Sequence, residues 1–192
     1  MIRELITKNR SYRRYYQNHK LSIEELKDLV ELARLSASGR DLQPLKYYLS
    51  ADEETNQKVF STLAWAGYLK DWDGPEEGER PTGYIIILSD TRLTTNYFCD
   101  QGIAAQSMLL GAVEKALGGC IFASIQREKL KQLLNIEEYF EVLLVIALGK
   151  PKKEVVVEEV RNGDIKYYRD ENQVHHVPKR SLDELIISGV ID

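Results

Sequence analysis

The chain has 192 residues, of which 43% are hydrophobic and 29% are charged, and its formal net charge at pH 7 is -4. This length predicts one compact domain over residues 1–192, with a core large enough to fold without covalent crosslinks. The composition is ordinary for a globular protein, and the net negative charge argues against general nucleic-acid binding.

Two further features bear on compartment and metal content. Cys99 and Cys120 lie in apolar sequence without metal-ligand spacing, so we expect two buried thiols in a reducing compartment and no metal site. The N-terminus lacks the apolar segment of a signal peptide. The longest unbroken apolar run, residues 142–148, is too short to span a bilayer. We therefore expect a cytoplasmic protein that does not associate with membranes.

The chain opens with apolar residues at helical spacing, which predict a short helix over residues 2–9. That helix leads into Arg10-Ser11-Tyr12-Arg13-Arg14, with three guanidinium groups and a serine hydroxyl in five residues. Guanidinium forks match phosphate oxygens in a bidentate way. A solvated basic turn is the alternative.

A capping box over residues 22–25 predicts the start of an amphipathic helix that ends near residue 35. Small residues, glycine and proline then predict a loop over residues 36–44. A strand is expected at residues 46–50, and a helix at residues 52–67.

Residues 70–83 mix acidic side chains with glycine and proline, which predicts a mobile acidic loop. The nearby aromatic residues Trp65, Tyr68 and Trp72 either line the mouth of a pocket or anchor the core. The short apolar run at residues 84–88 predicts a central strand that is buried on both faces.

Residues 100–117 are apolar nearly all round at helical spacing, so they predict a helix in the core of the fold or of a dimer. Gly118-Gly119 is expected to break that helix. Residues 120–124 predict a strand or extended turn, and Ser124 is a candidate N-cap for the following helix.

Another buried strand is predicted at residues 142–148. Residues 155–157 and 165–168 predict the two arms of a hairpin, with Asn162-Gly163 as its type I′ turn. Ser181 is a candidate cap for a short C-terminal helix. Helices and buried strands alternate, but the hairpin argues against a purely parallel sheet, so the predicted fold class is α+β with three layers.

The sequence contains no nucleophile elbow, zinc-protease motif, phosphate-binding P-loop or dinucleotide fingerprint. For His19, His175 and His176, surface or packing roles are expected more than catalysis. Basic residues at 10–14 and 179–180 suit a phosphorylated cofactor whose ring carries the chemistry while the protein binds and orients it. A binding module without catalysis would show the same pattern.

Several segments, in order and spacing, resemble the flavin-dependent nitroreductase family. They are Arg10-Ser-x-Arg13-x-Tyr15, the loop at residues 36–44, the helix from Asp100 through Gln106, Ala116 to Cys120, Leu148 to Pro151, and Pro178 to Leu182.

The resemblance implies a three-layer α-β-α nitroreductase-like fold, with a central, mainly antiparallel sheet flanked by helices. It also implies an obligate homodimer that holds two FMN molecules at the subunit interface, with the helix at residues 100–117 as the dimer core. Residues 152–192 are expected to pack on the partner subunit. No protein side chain is expected to be catalytic, because the flavin carries the chemistry.

Site residues follow from the same resemblance. The implied phosphate ligands are Arg10, Ser11 and Arg13, with Lys179 or Arg180 assisting; a phosphate of charge near -2 suits several guanidinium forks. Arg14 is expected to be a surface or intersubunit charge. The implied flavin-ring contacts are Ser38, Asp41 and Gln43 at the ring edge, and the backbone of Phe122, Ala123 and Ser124 facing the flavin.

Two positions depart from the family pattern. Asp41 stands where the family usually has asparagine, and an ionised aspartate can only accept hydrogen bonds. If it faces the ring, its charge should lower the flavin midpoint potential. Leu45 replaces a common tryptophan, so the pocket wall there should be less aromatic.

The function implied is FMN-dependent reduction, by NAD(P)H, of a small electron-poor acceptor such as a nitroaromatic or quinone, through ping-pong hydride transfer. Two alternatives stay open. One is a flavin oxidase or dehydrogenase that acts on a metabolite, and the other is a non-catalytic flavin-binding or sensor module.

Overall fold

The structure, a computed structural model, describes residues 1–69 and 72–187. Its centre is a four-stranded sheet in the order β1-β2-β4-β3, and every neighbouring pair is antiparallel. The strands are β1 (Leu45–Ser50), β2 (Gly83–Asp90), β3 (Gly118–Phe122) and β4 (Phe140–Gly149). All eight residues of β2 are buried, which confirms the prediction of a central strand covered on both faces.

Helices cover both faces of this sheet. The described helices are α1 (Ile2–Lys8), α2 (Ile23–Arg34), α3 (Glu53–Phe60), α4 (Asp100–Glu114), α5 (Arg127–Leu134) and α6 (Leu182–Leu185), and those that cover the sheet are α2 to α5. Ile85 and Ile87 pack with α2 and α4 in one core cluster, whereas Ile86 packs with α3 and α5 in a second. This alternation follows from the two-residue period of a strand. The predicted α+β fold with three layers is confirmed.

The helix predicted over residues 52–67 is too long, because α3 ends at Phe60. Beyond it the chain forms a bridge between Leu63 and Ile125, and the Ala64 N–H donates to the Ser124 carbonyl at 3.1 Å. Trp65 is buried against Phe122, as a core anchor, whereas Tyr68 is exposed. Of the predicted acidic loop, residues 70 and 71 lie outside the described part of the chain.

The predictions that the central helix runs to residue 117 and that Gly118-Gly119 breaks it are wrong, because α4 ends at Glu114 and the two glycines open β3. A side chain at residue 118 would clash with the Tyr12 ring and would approach the Pro151 ring to 2.7 Å. The prediction that Ser124 caps the next helix is wrong. α5 begins at Arg127 without a side-chain cap, and the Ser124 carbonyl is bonded to Ala64.

The predicted C-terminal hairpin is also wrong in its pairing. β5 (Val155–Glu159) lies parallel to β7 (His175–Lys179), and the short β6 (Tyr168–Arg169) pairs with the other edge of β7. The turn at Asn162-Gly163 does form, with φ values of 52° and 73°, but its ladder stops at the bridge between Arg161 and Asp164. We call β5, β6 and β7 the C-terminal sheet.

Of the smaller predictions, some are confirmed and one is wrong. The capping box of α2 is present, and Ser181 caps α6 in a second capping box. Cys120 is buried as expected, but Cys99 is exposed.

No helix within the described residues is long and apolar enough to cross a membrane. Over the same ranges, no cluster of three or more His, Cys, Asp or Glu side chains could hold a metal ion.

Candidate functional site

A cavity of about 280 Å³ lies between the N-terminal segment, α4, β3 and the C-terminal sheet; we call it the basic cavity. Four predicted site residues meet there: Arg10, Ser11, Arg13 and Lys179. The lining residues described are Asn9, Arg10, Ser11, Arg13, Gln106, Leu109, Gly119, Ile121, Tyr167, His175, Val177 and Lys179. None of them is acidic, so the wall carries only cationic and neutral side chains.

The backbone of residues 11–16 is held against the sheet, which fixes the direction of its side chains. Ser11 forms a parallel bridge with Gly119, and the Tyr12 N–H donates to the Gly119 carbonyl at 3.0 Å. The Tyr16 N–H donates to the Lys150 carbonyl at 2.9 Å. Tyr15 between them is fully buried, so the basic segment is not a free turn.

Arg10 carries an unsatisfied donor. Its Nη2 donates to the Ile6 carbonyl at 2.7 Å, at the end of α1. Its Nε is buried and meets no hydrogen-bond acceptor among the described residues. Buried polar groups nearly always have a partner, so this nitrogen is left available to donate to a ligand or to a water molecule.

Arg13 is held between two side chains of the C-terminal segment. Its guanidinium lies 4.8 Å from the centre of the Tyr167 ring, and its Nη1 lies 3.4 Å from Nε2 of His175. Neither Tyr167 nor His175 was among the predicted site residues. The signal that could have identified His175 is the two-residue period of β7, which brings His175, Val177 and Lys179 to the same cavity.

His175 is neutral at pH 7. Burial is the main cause that lowers the pKa of this imidazole from 6.5 to about 4, and the charges of Arg13, Arg169 and the neighbouring His176 contribute to the same shift. The basic cavity therefore holds its positive charge on the two arginines and Lys179.

Arg14 and Arg180 have other partners. Arg14, expected as a surface or intersubunit charge, forms a half-buried ion pair with Glu79, and Lys152 reaches the same carboxylate at 2.8 Å. Burial acts to raise the pKa of Glu79, but hydrogen bonds from Lys152 and Arg14 outweigh it and lower the pKa. Arg180 is exposed, 3.5 Å from Glu184, and does not line the basic cavity.

The loop at residues 36–44 lies elsewhere. Ser38 and Gln43 line a separate cavity of about 350 Å³ beside α2, β1 and the start of α4, and no residue lines both cavities. Asp41 is exposed and accepts a 2.8 Å hydrogen bond from the Gln43 amide. Leu45, at the start of β1, also lines this cavity. Within one chain, the predicted ring-edge residues and phosphate ligands therefore do not share a cavity.

The loop is held in an unfavourable backbone conformation by a residue that was not predicted. Arg40, Asp41 and Gln43 all have left-handed φ angles, of 54°, 56° and 48°. Such conformations cost on the order of 1 kcal/mol or more for residues other than glycine. The buried Asp100 carboxylate accepts hydrogen bonds from the Ser38 hydroxyl and the Gly39 N–H, and so ties the loop to α4.

Residues 122–124 follow directly from the floor of the basic cavity, where Gly119 and Ile121 lie. The Phe122 side chain points into the core and stacks edge-on against Trp65 at 4.6 Å. Ala123 and Ser124 are exposed, and their carbonyls accept hydrogen bonds from Arg127 and from the Ala64 N–H. The predicted contact of this backbone with a flavin stays a prediction.

Comparison with known proteins assigns the fold and the family. The model of the family described as "Nitroreductase family" matches residues 6–150, which is most of the chain and includes the N-terminal basic segment, the loop and α4. The chain belongs to the nitroreductase family. This membership confirms the resemblance seen in the sequence, and with it the prediction of an oxidoreductase.

Individual relatives of this nitroreductase-family chain are distant. A Bacillus subtilis protein with the provisional name NAD(P)H nitroreductase MhqN is 25% identical over 185 residues, which cover 78% of this chain and 88% of that protein. A protein named Cr(VI) reductase from Pseudomonas sp. (strain G-1) is 22% identical and covers 80% of this chain and 68% of its own length.

Solved structures show the same fold. A nitroreductase family protein from Streptococcus pneumoniae superposes with a TM-score of 0.68 at 17% identity, over 98% of this chain and 100% of that one. A structure named FMN-dependent nitroreductase, from Clostridium difficile, gives a TM-score of 0.65 at 21% identity and covers 85% and 92% of the two chains. These likenesses confirm the predicted nitroreductase-like fold.

Proposed function

We propose that this chain is an FMN-dependent oxidoreductase that uses NAD(P)H to reduce small electron-poor acceptors, nitroaromatic or quinone-like, in a ping-pong reaction. The observation that carries the proposal is the basic cavity. Arg10, Ser11, Arg13 and Lys179 converge in it, no acidic residue lies among its described lining residues, and the buried Arg10 Nε has no acceptor among them.

The donor set fits a phosphate monoester. Such a group carries a charge of about -1.5 to -2 at pH 7 and three strong acceptor oxygens. Two guanidinium groups, an ammonium group and a hydroxyl supply the opposite charge and the hydrogen-bond donors. Arg13 is already ordered by Tyr167 and His175, so little rotamer entropy remains to be lost when the anion binds.

When bound, the flavin would accept a hydride from NAD(P)H and deliver it to the acceptor. The chain's own residues would bind and orient the cofactor and keep its phosphate end away from water. The nicotinamide donor is proposed because the Bacillus subtilis relative is named as an NAD(P)H nitroreductase, and FMN because the Clostridium difficile structure is named as FMN-dependent.

A homodimer is part of the proposal, because one chain offers only part of a cofactor site. The loop at residues 36–44 lines a different cavity from the basic cavity, on another side of α4. A two-fold axis would bring the loop of a second copy against the basic cavity of the first, so Ser38, Asp41 and Gln43 would then act from the partner subunit.

The exposed side of α4 supports the same arrangement. Ile103 on this helix is 37% exposed, and Ile2 and Ile6 are exposed on α1, which packs against α4. Exposed apolar patches of this kind mark interaction surfaces. Tyr167 and His175 contact Arg13 of their own chain, and the expected packing of residues 152–192 on a partner stays part of this proposal.

The decisive experiment adds FMN to the purified protein and compares it with Arg13→Ala; Arg3→Ala, an exposed arginine on α1, is the matched control. We expect wild type and Arg3→Ala to become yellow and to elute as dimers with one FMN per chain, whereas Arg13→Ala keeps its fold and loses most FMN affinity. Failure of the wild-type protein to bind FMN would refute the proposal.

Measurements of turnover distinguish the proposed reductase from a binding module and from a flavin oxidase or dehydrogenase. We expect NADH or NADPH oxidation that accelerates when a nitroaromatic or a quinone is added, with parallel-line initial-rate kinetics. Bound FMN without any NAD(P)H oxidation would identify a binding module. Flavin reduction by a metabolite but by neither nicotinamide donor would identify a flavin oxidase or dehydrogenase.

A further inference from the structure

β7 forms part of the wall of the basic cavity, and its first residue, His175, is the least exposed residue of that strand. Only 7% of its surface is exposed. Its ring lies 5.2 Å from the Tyr167 ring and within hydrogen-bond distance of Arg13. His176, the next residue, binds Glu158 and Asp170 instead and does not line the cavity.

The contact with Arg13 fixes which ring nitrogen of His175 carries the proton. Nε2 lies 3.4 Å from the Arg13 Nη1, and a guanidinium group has donors but no acceptor. Nε2 must therefore accept. Since burial and neighbouring cations keep the imidazole neutral by lowering its pKa to about 4, its single proton lies on Nδ1.

That Nδ1–H is a buried donor without an acceptor among the described residues. Leaving such a group unsatisfied costs about 1–3 kcal/mol. A histidine that served only to fill space would carry this cost without a compensating interaction, whereas a phenylalanine would fill the same space without an unsatisfied donor. Arg10, which lines the same cavity, carries a second buried N–H without an acceptor among the described residues.

We propose that His175 is a phosphate-binding residue of the FMN site: Nδ1–H donates to a phosphate oxygen while Nε2 orders Arg13 for the same anion. This inference rests on the proposed function. The competing explanation is a water molecule in the small cavity of about 20 Å³ that His175 also lines, together with Arg14 and Arg169. A site of that size holds one water, and FMN affinity would then not depend on the Nδ1–H.

The test compares FMN with riboflavin, which lacks the phosphate, by fluorescence titration of His175→Phe and His175→Asn. Phenylalanine keeps the ring and removes both nitrogens, and asparagine keeps a donor near the Nδ1 position. His176→Asn, one residue away, is the matched control. We expect His175→Phe to weaken FMN binding about tenfold, as loss of a hydrogen bond to a charged group predicts. The affinity of His175→Phe for riboflavin should differ from that of wild type by less than twofold. The FMN affinity of His175→Asn should stay within about threefold of wild type, and that of His176→Asn should be unchanged.

Two results would overturn the assignment while the proposed function stands: unchanged FMN affinity in His175→Phe, or equal losses for FMN and riboflavin. A wild-type protein that binds FMN no better than riboflavin would remove both proposals. Nitrogen-15 NMR of the wild-type protein provides a readout if His175→Phe does not fold. The His175 Nδ1–H resonance should shift on addition of FMN and not of riboflavin, and the absence of that difference also rejects the assignment.

Discussion

Asp100 and Ser38 are joined by a 2.6 Å hydrogen bond that connects the first turn of α4 to the loop at residues 36–44. The other carboxylate oxygen of Asp100 accepts the Gly39 N–H at 2.8 Å, and the Ser38 hydroxyl in turn accepts the Gln43 N–H at 2.9 Å. One buried carboxylate therefore holds a loop that contains three residues with left-handed backbone conformations. Its position at a helix N-terminus also suits a negative charge.

Removing this carboxylate should destabilise the protein more than removing its partner. Asp100→Ala leaves two donors without an acceptor, and we expect a loss of about 2–3 kcal/mol in the free energy of unfolding. Ser38→Ala removes one hydroxyl from the same network and should cost about 1 kcal/mol. Urea denaturation measures both values. Equal midpoints for wild type and Asp100→Ala would show that the loop does not depend on this contact.

Glu79 should control acid stability at low pH. Its pKa is lowered in the folded state by Lys152 and Arg14, against the opposing effect of burial. A lowered carboxyl pKa stabilises the fold above the unfolded value, near 4.5, and this stabilisation is lost as the pH falls through the folded pKa. As the pH falls below about 4.5, wild type should therefore lose more unfolding free energy than Glu79→Gln. Glu24→Gln, at an exposed pair with Lys27, should behave as wild type.

His175 should add a separate loss of stability on acidification, in a pH range above that of Glu79. Its folded pKa of about 4 lies below the ordinary 6.5, so the unfolded chain takes up a proton that the folded chain excludes. Stability should fall by on the order of 2 kcal/mol as the pH decreases from about 6.5 to 4. His175→Phe lacks this titration, and its stability should be flatter across that window. His19→Gln, on the exposed surface, is the control; identical slopes for all three proteins would contradict the prediction.

Local signals in the sequence predicted most of the fold. The capping box of α2, the buried strand β2 and the Asn162-Gly163 turn each depend on residues close in the chain, and each is present. The pairing of β5 with β7 was missed, because the strand that a segment joins depends on residues far along the chain. α3 was predicted too long for a similar reason: residues 63–64 pair with residues 124–125 across the fold.

The residues of the candidate site also fall into two groups, those that nearby sequence marks and those whose roles depend on distant residues. Arg10, Ser11 and Arg13 were identified because they are adjacent in sequence and chemically distinctive. Lys179, far along the chain, was grouped with them as a second basic segment suited to a phosphorylated cofactor, and the family resemblance implied the same role. His175 and Asp100 were not predicted as site residues, although His175 follows the two-residue period of β7 and Asp100 opens a segment that resembles the family. Their roles come from contacts with residues 162 and 62 positions away, which only the folded chain reveals.

Gly118→Ala should displace the N-terminal basic segment. A Cβ at this position would clash with the Tyr12 ring and crowd Pro151, and the same segment carries the Arg10 and Arg13 side chains. We expect a loss of about 1–3 kcal/mol in stability, typical of overpacking, together with weaker FMN binding. Gly67→Ala is the matched control, because nothing lies within 4 Å of a Cβ there. Native stability and FMN affinity in Gly118→Ala would show that the segment tolerates displacement.

Asp41→Asn tests the departure from the family pattern that bears on redox potential. Asp41 accepts a hydrogen bond from the Gln43 amide through Oδ1, and asparagine keeps that acceptor while it removes the charge. If the partner's loop faces the flavin, removing a nearby negative charge favours the more negative reduced form. If the charge of Asp41 changes the free energy of flavin reduction by about 1 kcal/mol, its removal should raise the two-electron midpoint potential by about 20 mV. Glu24→Gln, an equal charge change at the start of α2, should leave the potential unchanged. The rise should shrink in high salt, because Asp41 is exposed and screening weakens its field; an unchanged potential in Asp41→Asn would show that this carboxylate does not face the ring.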